Sequence, residues 1–477
     1  MRPWRRKPGG TGAGREQIAA LGTEPMGRLL LRTCAQTTVS VGVFGIYALT
    51  NAFFVARGVG PAALAAVNLL APVLLAVGAV STAVGAGGAS LVSRSLGRGD
   101  PAAAARAAGN AFVVFWVCAA AVGAAGLLTL GPLLSLLGAT DGTRGYAHDY
   151  GQILLAGTLT STGFSSLMRA EGRMRFSTLQ WVLPVVTQMC LDPLLIYGCG
   201  LGVRGAALGT VGGQTVSAAM SVWFFFLQRA RPYRVTLADL RPHGPTLRRL
   251  LGVGVPSFLV GSGATVVAGL ANTRLVAVGG PLAVACFALC GRVGTFAAMP
   301  QTGIAQALQP LVGYNAGRGL AARAEQATRL ALRATVGYGC AVCAVLLCAA
   351  GPVVSLFTGD PALHARAVGA LRLLALVHPC AGVAPLVCAR FQALGRPRPA
   401  YLISVAAVVA VRVPLLFALG RFGTRGVLVS FPVAELATAL LALLVLARGR
   451  AAAAPAVLSH GPRAEPRGGQ EGAGAHG

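Results

Sequence analysis

Between residues 29 and 447 the chain carries twelve apolar runs, at about 29–54, 62–92, 110–137, 150–168, 176–198, 204–228, 253–277, 282–310, 330–356, 368–392, 401–420 and 426–447. Each is close to or above the roughly 20 residues that an α-helix needs to cross the hydrocarbon core of a bilayer. A chain that repeats this pattern twelve times is expected to fold as an all-α membrane protein of twelve transmembrane helices. Charge content agrees. Only 11% of the 477 residues are charged, where soluble chains carry about a quarter. Thirteen acidic side chains are too few to coat a soluble body of this length.

A net charge of +27 would suit a nucleic-acid binder if it formed one continuous basic face. Instead the basic residues, 39 Arg and Lys7, stand in small groups between the apolar runs. With the N-terminus in the cytoplasm, the five inner connections hold 19 Arg and the six outer ones hold seven. This bias orients spans during insertion. It predicts a multi-pass plasma-membrane protein with both termini cytoplasmic and no nucleic-acid partner. Residues 1–27, with Arg2, Arg5, Arg6, Lys7 and Arg15, lead into a full-length span rather than the short core of a cleaved signal, so they read as a cytoplasmic tail. The Ala/Gly/Pro-rich residues 448–477 read as a disordered cytoplasmic tail.

Eleven cysteines raise the question of metal or redox sites. Most lie inside apolar runs, and the Cys340/Cys343 pair has no neighbouring His/Cys cluster in sequence. They read as small residues packing helices in lipid, and no metal site is assigned.

The chain repeats itself. Gly60 to Ala65 aligns with Gly280 to Ala285 at an offset of 220, and Leu91, Val92 and Gly97 to Gly99 match Leu311, Val312 and Gly317 to Gly319 at the same offset. With one gap, Pro193 to Leu195 matches Pro414 to Leu416. The expected organisation is an N-lobe at 28–228, a cytoplasmic linker at 229–249 rich in Arg and Pro, and a C-lobe at 250–447. Six helices per half insert both halves in the same orientation, so their pseudo-two-fold axis lies along the membrane normal, with the substrate route between them.

The segments Gly60 to Asp100, Arg292 to Ile304, Gln309 to Gly317, Arg169 to Gly172, Leu191 to Tyr197 and Phe391 to Gly395 resemble the multidrug and toxic compound extrusion (MATE) transporters, nearest their prokaryotic DinF-like and MepA-like branch. The likeness covers about residues 25 to 447. It implies a V-shaped pair of six-helix lobes of the MOP superfamily that exports amphipathic, often cationic compounds against an inward flow of H⁺ or Na⁺. It also implies roles at single positions, with departures. Asn51 stands where prokaryotic members carry Asp, Gln36 where they carry a helix-bending Pro, and Gln188 where they carry Asn; Asp192, Thr210 and Pro256 are retained.

Charges inside a bilayer are costly and therefore informative. Asp192 lies near the outer end of the fifth helix, beside Pro193, which frees a backbone carbonyl. With Asn51, Gln188 and Thr210 it could form one polar pocket that holds the coupling cation, or a structural hydrogen-bonded knot between helices one, five and six. Glu435 faces a neutral Gln214 in the repeat alignment. Arg412 and Glu435 are expected at similar depth, as a structural ion pair or one that protonation breaks. Arg292 is expected to anchor helices by donating to carbonyls, with a substrate-cavity role as the alternative. His378 reads as a neutral histidine at a kink, with titration in the cavity as the alternative. Asp149, Glu171, Glu325 and Asp360 lie at helix ends or loops and read as caps or solvated charges.

No H-E-x-x-H or Asp-rich motif is present, and a Walker P-loop is impossible because the single lysine is Lys7. The chain is thus expected not to be an enzyme and to need no cofactor beyond H⁺ or Na⁺. The expected function is secondary-active antiport of an amphipathic, cationic small molecule by a monomer in the lipid bilayer. The alternative is a flippase for a lipid-linked or amphipathic metabolite.

Overall fold

The computed structural model describes residues 12–160, 164–228 and 231–451. Residues 1–11 of the expected N-terminal tail and 452–477 of the expected disordered tail lie outside the described residues. All regular structure among the described residues is helical.

Among the described residues the helices group into twelve spans. The first is Met26–Gly58. The second is Pro61–Leu69 with Ala71–Gly97, and the third is Pro101–Leu128. The fourth is broken, Asp141–Ala156 and Ser165–Ala170. The fifth runs Met174–Pro193 and widens into a π-helical turn at Leu194–Gly198; the sixth is Gly202–Val222 with a π turn at Trp223–Leu227. Seventh and eighth form one helical stretch of 74 residues, Gly244–Gly317, reversed at Gly280. At 1.5 Å per residue an unbroken helix of that length would span several bilayers. The ninth is Ala321–Cys348. The tenth bends between Pro361–Ala375 and Val383–Ala393. The eleventh combines Pro397–Ala406, a π turn at Ala407–Arg412 and Val413–Leu419. Gly423–Ala451 is the twelfth.

The internal repeat is visible in the backbone. Gly60 (φ 118°) and Gly280 (φ 67°), 220 residues apart and each followed by proline, make the reversals from first to second and seventh to eighth span. Only glycine enters such conformations without strain, and proline then starts the next helix.

Each lobe has its own core. In the N-lobe Phe112, Phe115, Phe164 and Phe225 cluster between the third and fourth spans and the end of the sixth. In the C-lobe Leu346, Leu371 and Leu428 join the ninth, tenth and twelfth. The lobes meet where the second span packs on the eighth and tenth: Ser90 Oγ donates to the Gln392 carbonyl of the tenth at 2.5 Å, and Gln309 Nε2 of the eighth donates to the Ala86 carbonyl at 2.9 Å. The end of the bundle bearing the described termini holds an extra element absent from the sequence reading: helix Gly12–Thr23 buries Ile18 and Leu21 against the eighth and ninth spans. Asn315 Nδ2 donates to the Leu21 carbonyl at 3.0 Å, tying this helix to the C-lobe.

Candidate functional site

The fifth and sixth spans approach closely because the sixth carries Gly205, Gly209 and Gly213 at four-residue spacing. A β-carbon on Gly213 would lie 2.7 Å from the Pro184 carbonyl, and one on Gly205 would lie 2.8 Å from that of Leu195. Small residues at this spacing let helix backbones touch in a membrane. At the middle glycine the groove receives the Asp192 carboxylate: a β-carbon on Gly209 would collide with Asp192 Oδ1. The fifth helix ends as a regular α-helix one residue later, at Pro193, and opens into its π turn. Such widened turns are frequent at functional sites.

Around that carboxylate the structure brings four polar side chains together, all buried: Asn51, Gln188, Asp192 and Thr210. Gln188 Nε2 donates to Asp192 Oδ2 at 3.3 Å and to Thr210 Oγ1 at 3.1 Å. Asn51 Nδ2 reaches Thr210 Oγ1 at 3.4 Å, and the threonine hydroxyl donates back to the Ala206 carbonyl at 3.0 Å. Asp192 is 1% exposed, and its Oδ1 has no hydrogen-bond partner. A buried, ionised oxygen without a donor is strongly unfavourable unless a cation or proton joins it. Gly209, which makes room for that oxygen, was missed in the sequence reading. Its signal was present in the three-glycine spacing.

The second charged position lies in the C-lobe. Arg412 Nη2 donates to Glu435 Oε1 at 2.5 Å, joining the eleventh and twelfth spans, with both side chains largely buried. Arg412 closes the π turn that precedes Pro414, the repeat counterpart of Pro193.

One expected placement is corrected. Arg292 does not anchor helices: it is exposed and has no hydrogen bond among the described residues. His378 is buried at the bend of the tenth span, where a histidine at a kink was expected. Its backbone carbonyl accepts from Gln301 Nε2 at 2.8 Å, and its Nδ1 is unpartnered.

Glu171 is also not a solvated charge. It is fully buried, paired with Arg231 of the linker, and accepts from Tyr233 Oη at 2.5 Å. The Arg231 guanidinium lies 4.5 Å from the Phe225 ring centroid and 4.8 Å from that of Phe224. Asp149 pairs with Arg204 at 3.0 Å on the surface, and Asp360 caps its helix through the Ala362 N–H at 2.9 Å. Glu325 holds Arg329, Arg390 and Arg450.

Comparison with known proteins agrees with two related halves. The MatE family profile matches residues 38–194 and 253–418, one block in each lobe. The chain is 27% identical over 429 residues to a protein named FAD transporter from Shewanella oneidensis, covering 86% of this chain and 92% of that one. It is also 27% identical over 411 residues to the multidrug export protein MepA of Staphylococcus haemolyticus, covering 84% and 89%. Among solved structures, an outward-facing multidrug resistance MATE family transporter of the MOP superfamily superposes with a TM-score of 0.85. That match covers 94% of this chain and 99% of that one at 24% identity.

Proposed function

The chain belongs to the MatE family of multidrug and toxic compound extrusion transporters, and on that premise we propose that it is a secondary-active antiporter whose coupling cation, H⁺ or Na⁺, binds at Asp192. The observation that carries this reading is the buried, unpartnered Asp192 Oδ1 beside Gly209. A proton on that oxygen, or a Na⁺ shared with the Thr210 hydroxyl and the amide oxygens of Gln188 and Asn51, would remove the cost of an unpaired carboxylate in an apolar surrounding. Asn51 lies on the first span and the other three on the fifth and sixth, so loading and emptying the site would alter how the first span packs on the other two. That change would bias the lobes between two arrangements.

The cargo in this reading is an amphipathic, cationic small molecule carried out of the cytoplasm by a monomer in the plasma membrane. The arginine bias supports placing the termini-bearing end in the cytoplasm. The relatives named for multidrug export and for FAD supply the two cargo classes to be assayed.

The test is transport in proteoliposomes with ethidium or FAD as cargo, imposing pH and Na⁺ gradients separately. Wild type is expected to move ethidium with one gradient only, and Asp192→Asn to lose that response while remaining folded. Transport by Asp192→Asn at the wild-type rate would return Asp192 to a helix-packing role. Movement of FAD but not ethidium would replace the cargo class.

A further inference from the structure

Among the described residues, four arginines and no carboxylate line a cleft of about 860 Å³ between the lobes, at the end that bears the described termini. Arg94 and Arg98 come from the end of the second span, and Arg248 and Arg249 from the first turns of the seventh. Gly395, in the connection between the tenth and eleventh spans, forms part of the wall. Arg94 is half-buried and held in place: its Nε donates to the Ser90 carbonyl at 3.1 Å, and its guanidinium packs against Gly395. It stands within Coulombic reach of both Arg98 and Arg249.

Four carboxylates of this end are engaged elsewhere. Asp100 caps the third span through the Ala103 N–H at 2.8 Å, Glu171 is sealed with Arg231, Asp239 accepts from Thr236 Oγ1 at 2.7 Å, and Glu325 holds three arginines. Positive charge for membrane orientation needs no cavity; here it is gathered around one. Two helix N-termini, at Gly244 and Pro397, also open at this cleft and add the positive ends of their dipoles. Guanidinium groups are forks that bind phosphate oxygens in pairs, and like charges this close are unfavourable until an anion separates them.

We propose that this cleft binds a phosphate-bearing anion that bridges the two lobes. The phosphate belongs either to a membrane-lipid headgroup or to a soluble compound. Because each lobe contributes two arginines, the bound anion holds this end of the molecule closed.

The test uses the full chain in neutral detergent and reads thermal unfolding against inorganic pyrophosphate at constant ionic strength. Wild type is expected to show a saturable rise in midpoint that R248Q/R249Q loses. R248K/R249K keeps the charge needed for insertion but not the planar fork, and should bind pyrophosphate about tenfold more weakly. Nanodiscs of phosphatidylcholine, alone or with phosphatidylglycerol, separate the sources. A rise with phosphatidylglycerol that the variants lose assigns a lipid headgroup; a rise with pyrophosphate only assigns a soluble phosphate. Equal responses in wild type and the folded variants, or no response to either probe, would overturn the proposal and leave these arginines as insertion signals.

Discussion

Gly97 and Gly317 pack against each other where the second and eighth spans cross: a β-carbon on Gly97 would come within 3.0 Å of the Gly317 α-carbon. It would also meet the Tyr314 carbonyl, while one on Gly317 would meet the Arg94 carbonyl. Gly97 and Gly317 are 220 positions apart, as are Arg94 and Tyr314, so the two contacts are one contact made from each lobe. Overpacking of this kind costs about 1–3 kcal/mol. Gly97→Val and Gly317→Val are each expected to lower the melting temperature and to increase maleimide labelling of a cysteine placed at Ser93, which is buried at the same boundary. Because both substitutions strain one crossing, the double variant should fall short of the sum. Unchanged labelling would mean that this crossing does not hold the lobes together.

Gly209→Ala addresses the site without removing a polar group. The added methyl would occupy the space of Asp192 Oδ1, forcing the carboxylate away from Gln188 and Thr210. Gradient-driven transport is expected to fall at least about tenfold, the scale of misplacing a reacting group, with the folded yield little changed. Transport at the parental rate would show that the carboxylate position is not critical.

The Arg412–Glu435 pair allows a double-mutant cycle. Removing one member of a buried pair leaves an uncompensated charge and costs about 3–5 kcal/mol. Glu435→Gln and Arg412→Gln are each expected to lower thermal stability, and the double change to restore much of it. Restored stability without transport would assign the pair to function, and restored transport to structure. A silent Glu435→Gln in both assays would remove the pair from either role.

The linker clamp has a pH signature. Burial, and then the adjacent Glu171 charge, push the Tyr233 phenol well above the ordinary tyrosine value. The folded protein therefore keeps this proton where the unfolded chain, titrating at about 10, has lost it. Its contribution is fully present below about pH 10 and declines as pH rises above that value. Tyr233→Phe should flatten this alkaline decline in melting temperature. Glu171→Gln, which strands Arg231, should destabilise at neutral pH by about 3–5 kcal/mol. An alkaline limb identical in wild type and Tyr233→Phe would show that other groups set it.

Sequence alone determined the parts that depend on composition and order along the chain. Apolar run length dictates helices in lipid, and the 220-residue offset dictates two like halves. The cost of charge in hydrocarbon singles out Asp192, Glu435 and Arg412 without reference to any neighbour. Which side chains share a pocket is a different kind of fact. It depends on the rotation and separation of helices, and these follow from contacts summed over whole faces. Gly209 belongs to the site because its missing side chain leaves room for an oxygen on another helix, an event whose trace in the sequence is only the spacing of Gly205, Gly209 and Gly213. Glu171 was misread for the same reason. A carboxylate in a connection looks solvated until the linker folds back and lays Arg231 and Tyr233 over it. The basic cleft, too, exists only where the second and seventh spans meet, since four arginines spread over more than 150 positions become one site only when the lobes pack.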